Sequence, residues 1–430
     1  MIATGSRMAE KTNTTHEPRS RLLMVWAGCA LVLLIIPLAP TSGFALSLSS
    51  QMAIAAVFAL SYNMLLGQTG LLSFGHAVFM GIGGFVAIHV LRSVNAGEWQ
   101  LPLILLPLIG ALGGACFGLV FGWFATRRSS TAFAMITLGF GELVYASAFI
   151  FVDLYGGEQG ITADRTLAPK ILGLEFASQL QVYYLIMSWA FIAAVLIFII
   201  GRTPLGRVAL ATRDNAERVA FIGYNPNRVR FLMFVLSTFF AGMAGSLFAI
   251  DYEIVTYGSL GLSASAQVLM MAFIGGSSTF VGPIVGAILI TGLQVLLGQY
   301  TDLWILYLGV LFAIVIRFAP DGLAGLIAKE CASWRLNHIR GRSVLIGLRT
   351  IAAVIAAIGF VTLLELASRA KTASVGGAVL RVWGTHVDVM SPWPWLFAGI
   401  CFLMGLISLR FVHLAAARRM SVADVNGEPK

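Results

Sequence analysis

A chain of 430 residues in which 58% are hydrophobic and only 11% charged lies outside the soluble globular range and requires membrane spans. The net charge of +9 raises the question of nucleic acid, but the arginines gather at the ends of apolar runs and form no long basic patch. The positive-inside bias of cytoplasmic loops accounts for the sign, so a lipid bilayer and no nucleic acid is the expected surrounding.

The first 21 residues are polar and end in Arg19 and Arg21, which reads as a cytoplasmic tail. The apolar run that follows resembles both a signal peptide and an anchor. At about 17 residues it exceeds the usual signal core, and with so many runs behind it an uncleaved first helix is expected. Further windows of spanning size follow at 46–66, 71–91, 101–125, 131–152, 182–200, 231–250, 263–275, 282–297 and 303–316, then 344–366 and 393–414. The expected fold is therefore all-α, a polytopic transmembrane helical bundle of about ten core helices in 22–325, with about two more in a carboxy-terminal extension, 326–430.

With the amino terminus in the cytoplasm, Arg127 and Arg128, the arginines of 202–230, those of 317–349, and Arg418 with Arg419 all fall inside. The carboxy terminus falls inside too, and the acidic loop 153–181 falls outside. Arg369, Lys371 and Arg381 break the pattern. Two glycine-interrupted junctions, 66–70 and 274–278, each divide a pair of apolar segments, as in helices that line a transporter's pathway. The topology puts both on the cytoplasmic side. Cys29, Cys116 and Cys401 sit in apolar runs and Cys331 precedes a basic stretch, so no disulfide or metal-ligand spacing arises and buried free thiols are expected.

The loop 201–230 is too polar to span and too patterned to be slack. Short helical turns would bury Val208, Ala211, Ala216, Val219, Ala220 and Phe221, leaving Arg207, Arg213, Asp214, Glu217 and Arg218 in water. A helix of that kind suits docking on a partner. Glu217 and Gly223 keep the glutamate-to-glycine spacing of the loop by which bacterial importer permeases engage their ATPase subunits.

From about Ile54 to Gly325 the sequence resembles branched-chain amino-acid ABC transporter permeases of the LivM type. The resemblance rests on the blocks at 59–77 (ALSYNMLLGQTGLLSFGHA), 155–161 (YGGEQGI), the loop just described, 240–246 (FAGMAGS) and 275–287 (GGSSTFVGPIVGA). It implies import into bacteria across the inner membrane. A periplasmic solute-binding protein delivers the solute, this chain and a second, related permease form the pathway, and two cytoplasmic ATP-binding subunits drive it. The chain itself is then no enzyme and binds no cofactor. Its five lysines all lack the preceding glycine of a phosphate-binding loop. Ser278 stands where the family has glycine, and the extension beyond Gly325 departs from the family pattern.

Six residues stand out as candidates for the solute pathway. Glu142 is a carboxylate inside an apolar run, costly in lipid and suited to a solute ammonium. His76 sits in the block Ser73-Phe74-Gly75-His76, where it either faces the pathway or is a hydrogen-bonded histidine near a helix end, and Asn63, Gln68, Thr69 and Ser73 cluster beside the first junction, where they serve either solute contact or a broken backbone. Gln267 and Gln294 read as interhelical hydrogen-bonders, and Gly242, Gly245, Gly282 and Gly286 as sites of close helix contact. The rival class is an ion-gradient-driven secondary transporter, which shares composition and broken helices; the sparse intramembrane charge disfavours a proton relay. A membrane scaffold or sensor without transport is a third possibility.

Overall fold

The computed structural model describes residues 19–326, apart from 36, 38–41, 129–130, 170–174, 300, 302 and 320, together with scattered positions between 359 and 410. Ten apolar helices of ten residues or more appear among the described residues. They are α1 (Arg19–Ile35), α2 (Gly43–Thr69), α3 (Ala77–Asn95), α4 (Leu106–Ala125), α5 (Thr131–Ile150), α7 (Gln179–Arg202), α10 (Pro226–Tyr252), α11 (Leu262–Gly275), α12 (Val281–Gly298) and α13 (Trp304–Phe318). Seven are long and apolar enough to cross a bilayer and three are shorter. Each coincides with an expected window, so the polytopic helical bundle holds. Short helices fill the connections: α6 (Val152–Tyr155), α8 (Pro204–Asp214) and α9 (Ala216–Phe221).

Strand is confined to two short pairs among the described residues, in keeping with the all-α expectation. β1 (Ile161–Thr162) pairs antiparallel with β2 (Ile254–Val255), and β3 (Val379–Val382) pairs antiparallel with β4 (Thr385–Asp388). The described chain divides into two compact units, one of residues up to Leu296 with Leu308–Leu326, the other of Leu297–Tyr307 and the part beyond Ile327. Of the two expected late spans, 344–366 falls almost wholly outside the described residues, while 393–414 overlaps a helix at 392–400.

In the first unit α10 lies at the centre, packed on α4, α3 and α2. Between membrane helices burial from water supplies no drive, so close approach of small residues decides which faces meet. Here the seam is built from glycine. A side-chain carbon on Gly83 or Gly114 would run into Gly242, and one on Gly245 into the Met80 carbonyl, so backbones touch where side chains would separate them. Hydroxyls close the gaps: Ser237 Oγ donates to the Ser61 carbonyl (2.6 Å) and Ser246 Oγ to that of Pro107 (3.2 Å). Gly282 and Gly286 make a second seam, against Gly275, Gly276 and Met271. The close contacts expected of these four glycines are all present.

At the end of the bundle opposite α8, the segment 151–169 forms a cap held by one arginine. Arg165 Nη1 donates to the carbonyls of Ile250 (3.0 Å) and Asp251 (3.1 Å), and Nε to that of Phe176 (3.2 Å). Its own N–H donates to Glu253 Oε1 (3.1 Å), whose carboxylate also pairs with the guanidinium. Arginine thus satisfies the last carbonyls of α10, groups every helix end leaves unpaired, and its charge opposes the negative end of the helix dipole. Nearby, Asp164 accepts the hydroxyl (2.7 Å) and N–H (2.8 Å) of Thr166, which holds its carboxyl below the usual carboxylate range.

Candidate translocation and coupling site

Gly70 ends α2 in the left-handed conformation (φ 70°), with its N–H on the Leu65 carbonyl, a closure that favours glycine. From there residues 71–76 run back along α2 without regular structure, and α3 begins only at Ala77. The turn-back is deep. The His76 ring stacks on Phe58, about 16 Å along the helix axis from Thr69 at ~1.5 Å per residue. Irregular backbone at such depth survives only where the protein satisfies its polar groups. Three side chains do so: Thr137 Oγ1 accepts from the Phe74 N–H (3.3 Å), Ser265 Oγ from that of Ala77 (3.0 Å), and Thr69 Oγ1 donates to the Leu65 carbonyl (2.7 Å).

The predicted pathway residues divide into two groups. Asn63, Thr69, Ser73 and His76 are buried inside the chain and Gln68 is half-buried, all around this break. His76 Nε2 shares a hydrogen bond with Ser61 Oγ (3.1 Å), while Asn63 Oδ1, Gln68 Oε1, Ser73 Oγ and His76 Nδ1 find no partner among the described residues. Such a concentration of unmet polar atoms is unusual in a packed interior. Glu142 is elsewhere. It lies on the exposed face of α5 with Met135 and Leu143, one helical turn from Gly139, which has open space beside it. The buried face of α5, with Ala134, Thr137, Gly141 and Val144, packs toward the break at Gly75.

The polar loop folds as two helices because its cap residues cut it there. Thr203 Oγ1 accepts from the Gly206 N–H before Pro204 opens α8, Asn215 Oδ1 accepts from that of Arg218 to start α9, and Asn225 caps α10 ahead of Pro226. Its buried side differs from the one expected. Gly206, Ala209, Thr212 and Val219 are buried, while Ala211 and Ala220 are exposed and Phe221 is 90% exposed. The helices are too short and too differently aimed for one periodic face to run through both. Phe221, Ile222 and Tyr224 consequently project from the tip, around Gly223 (φ 92°), with Glu217 and Arg218 also exposed on α9 and Arg207 on α8.

Arg213 is not simply solvated, as the spacing suggested: its Nη1 donates to the Gly67 carbonyl at 2.6 Å, and its Nε sits 3.5 Å from Asp214. The other side of Gly67 faces the Ser277 carbonyl. The two glycine-interrupted junctions therefore touch, on the end where the arginine pattern had put both. Ser278, the departure from the family, is exposed, so its hydroxymethyl meets no core. Gln267 donates to Gln294, the interhelical bond expected of that pair. Cys29 and Cys116 are free but exposed rather than buried, since an apolar face turned to lipid looks like an interior in sequence. Arg165 and Glu253 escaped the sequence reading. Glu253 adopts a left-handed backbone (φ 56°) that nothing in its residue type announces.

The family model described as the permease component of the branched-chain amino acid transport system matches residues 44–320. The high-affinity branched-chain amino acid transport system permease protein LivM of Salmonella typhimurium is 27% identical, over 64% of this chain and 69% of its own. LivM of Escherichia coli is 28% identical, over 62% and 67%, and BraD of Pseudomonas aeruginosa 24%, over 63% and 91%. No solved structure matches. The match covers well over half the chain and takes in every apolar helix from α2 to α13, both junctions and the capped polar loop, and on that ground the chain belongs to the family of branched-chain amino acid transport system permease components.

Proposed function

We propose that the chain is the membrane-spanning subunit of an ATP-driven importer for branched-chain amino acids or related small polar solutes in a bacterial inner membrane. It works with a second, related permease, two cytoplasmic ATP-binding subunits and a periplasmic solute-binding protein. Nucleotide is bound and hydrolysed on the separate ATP-binding subunits. Residues 22–325 make the permease and 201–230 the coupling loop, while 326–430 is an added carboxy-terminal extension. Both termini lie in the cytoplasm.

One observation carries the coupling assignment: the α8–α9 loop displays Phe221 almost free of the rest of the chain and leaves Ile222 and Tyr224 half or more exposed, beside Glu217, Arg218 and Gly223. Large apolar side chains on a charged loop cost free energy in water and gain it in a partner's pocket, the anatomy of an interface hot spot. Arg207 borders the same surface. On the opposite end the Arg165 cap offers a rigid platform for the solute-binding protein. In the membrane, Glu142 faces outward from α5. A carboxylate there is tolerable beside water and costly beside lipid, which supports a pathway lying along α5 between this chain and the second permease, with Glu142 available to a solute ammonium. The cluster of Asn63, Gln68, Thr69, Ser73 and His76 then serves the pathway from inside the chain, as the joint at which α2 and α3 shift. A gradient-driven carrier would share the broken helix but has no use for the apolar tip.

The test is a cysteine at the tip. Phe221→Cys, placed in membranes containing the neighbouring gene products, is expected to crosslink to a nucleotide-binding subunit, and leucine uptake into proteoliposomes of the assembled complex to require ATP inside the compartment that holds the tip. Uptake by the permease chains alone, driven by an ion gradient, would refute the assignment.

A further inference from the structure

We propose that Arg213 is a strut that carries movement of the α8–α9 pair into the α2–α3 break, a role separate from docking; the proposal rests on the ATP-driven reading above. Arg207, Arg213 and Arg218 are all exposed to some degree, but Arg213, in the last turn of α8, also reaches α2. Its 2.6 Å bond reaches the carbonyl of Gly67, one of the last four of α2 and so without an intrahelical partner. A guanidinium at that position is a charge-assisted donor and opposes the negative end of the helix dipole.

The side-chain stem matters as much as the head. A carbon added to Gly70 would stand 2.8 Å from Arg213 Cγ, so the arginine lies directly across the residue where α2 stops. On its far side, Gly67 has the Ser277 carbonyl 2.6 Å from its own added-carbon position, and the Gln68 amide rests against Gly201. The end of α2 is thus wedged between α8, the end of α7 and the turn before α12. Since α8 also packs on α2, α7 and α10, Arg213 is the polar part of that contact, the part that grips the end of α2 by its carbonyl. From Gly70 the extended segment leads straight to Ser73 and His76, whose unpaired Oγ and Nδ1 have hydrogen bonds to gain if the segment moves. The contact therefore joins the two sites the sequence presented as separate, the polar loop and the polar cluster.

The experiment uses the whole complex, permease pair and ATP-binding subunits, in lipid nanodiscs, with Ser73→Cys as reporter and a maleimide dye as probe. Trapping the ATP-binding subunits with ATP and vanadate is expected to change the labelling rate of Ser73→Cys by about tenfold, the size of one charge-assisted hydrogen bond expressed as an equilibrium. In the Arg213→Ala background the complex is expected to keep its ATP-binding subunits and to trap nucleotide, yet the labelling rate should change less than twofold. Arg213→Lys, which keeps a donor, should restore part of the response. An unchanged tenfold response in Arg213→Ala overturns the strut. So does loss of the ATP-binding subunits from Arg213→Ala to the degree seen in Arg218→Ala, which would make both residues docking contacts. If the unmodified complex neither holds nor traps an ATP-binding subunit, it is the ATP-driven reading that falls.

Discussion

The helices α3 and α5 have nearly the same apolarity, mean hydropathy 1.7 against 1.6, yet α3 buries 67% of its most apolar window within the chain and α5 only 33%. Hydrophobicity does not separate them, because lipid tails are as welcoming to leucine as another helix is. What separates them is shape and charge. The glycines of α3 meet glycines and carbonyls of α10 at backbone distance, whereas α5 meets the bundle along a single face and leaves a carboxylate on the other. Fit therefore fixes the framework, and the ill-fitting face is where a second chain or a pathway has room.

The contrast breaks most readily at Gly242. Its neighbours Gly110 and Gly114 are backbone atoms that have nowhere to go, so Gly242→Val is expected to destabilise the first unit by about 3 kcal/mol or more, seen as loss of the folded species in detergent thermal unfolding. Survival of that variant at wild-type stability would mean that the seam is not what holds α10. At Glu142 the effect is on transport. If the proposed pathway along α5 is right, Glu142→Gln is expected to cut leucine uptake about tenfold while leaving thermal stability within about 0.5 kcal/mol, since the carboxylate is exposed and lies off the core. Were Glu142→Leu instead to stabilise the protein and spare uptake, α5 would face lipid alone. The smallest change is expected at Ser278. Because its side chain is exposed, Ser278→Gly should shift stability by no more than about 0.5 kcal/mol.

Much of the framework was legible because apolar length and arginine placement are one-dimensional signals. All ten core helices and the shared side of the two junctions follow from them, and the small size of Gly242, Gly245, Gly282 and Gly286 marks their close contacts. The site was legible only in part. Composition marks Asn63, Ser73 and His76 as polar in an apolar setting but cannot say that the chain doubles back beside α2 to bury them. Nor can it say that Glu142 points away from them. The face of the α8–α9 loop was misjudged for a local reason: Asn215 restarts the helix, so Val219 and Phe221 no longer continue the phase set by Ala209 and Thr212. Arg213 looked like any other surface charge. Its partner is a main-chain carbonyl, which carries no residue signature at all.

One further consequence concerns α10. It is 27 residues long, about 40 Å at ~1.5 Å per residue, and its only proline stands in the first turn, where it bends nothing. At one tip it is bolted to the Arg165 cap, and at the other it leans on α8. One continuous helix thus joins the cap to α8, a connection that does not pass through the break between α2 and α3.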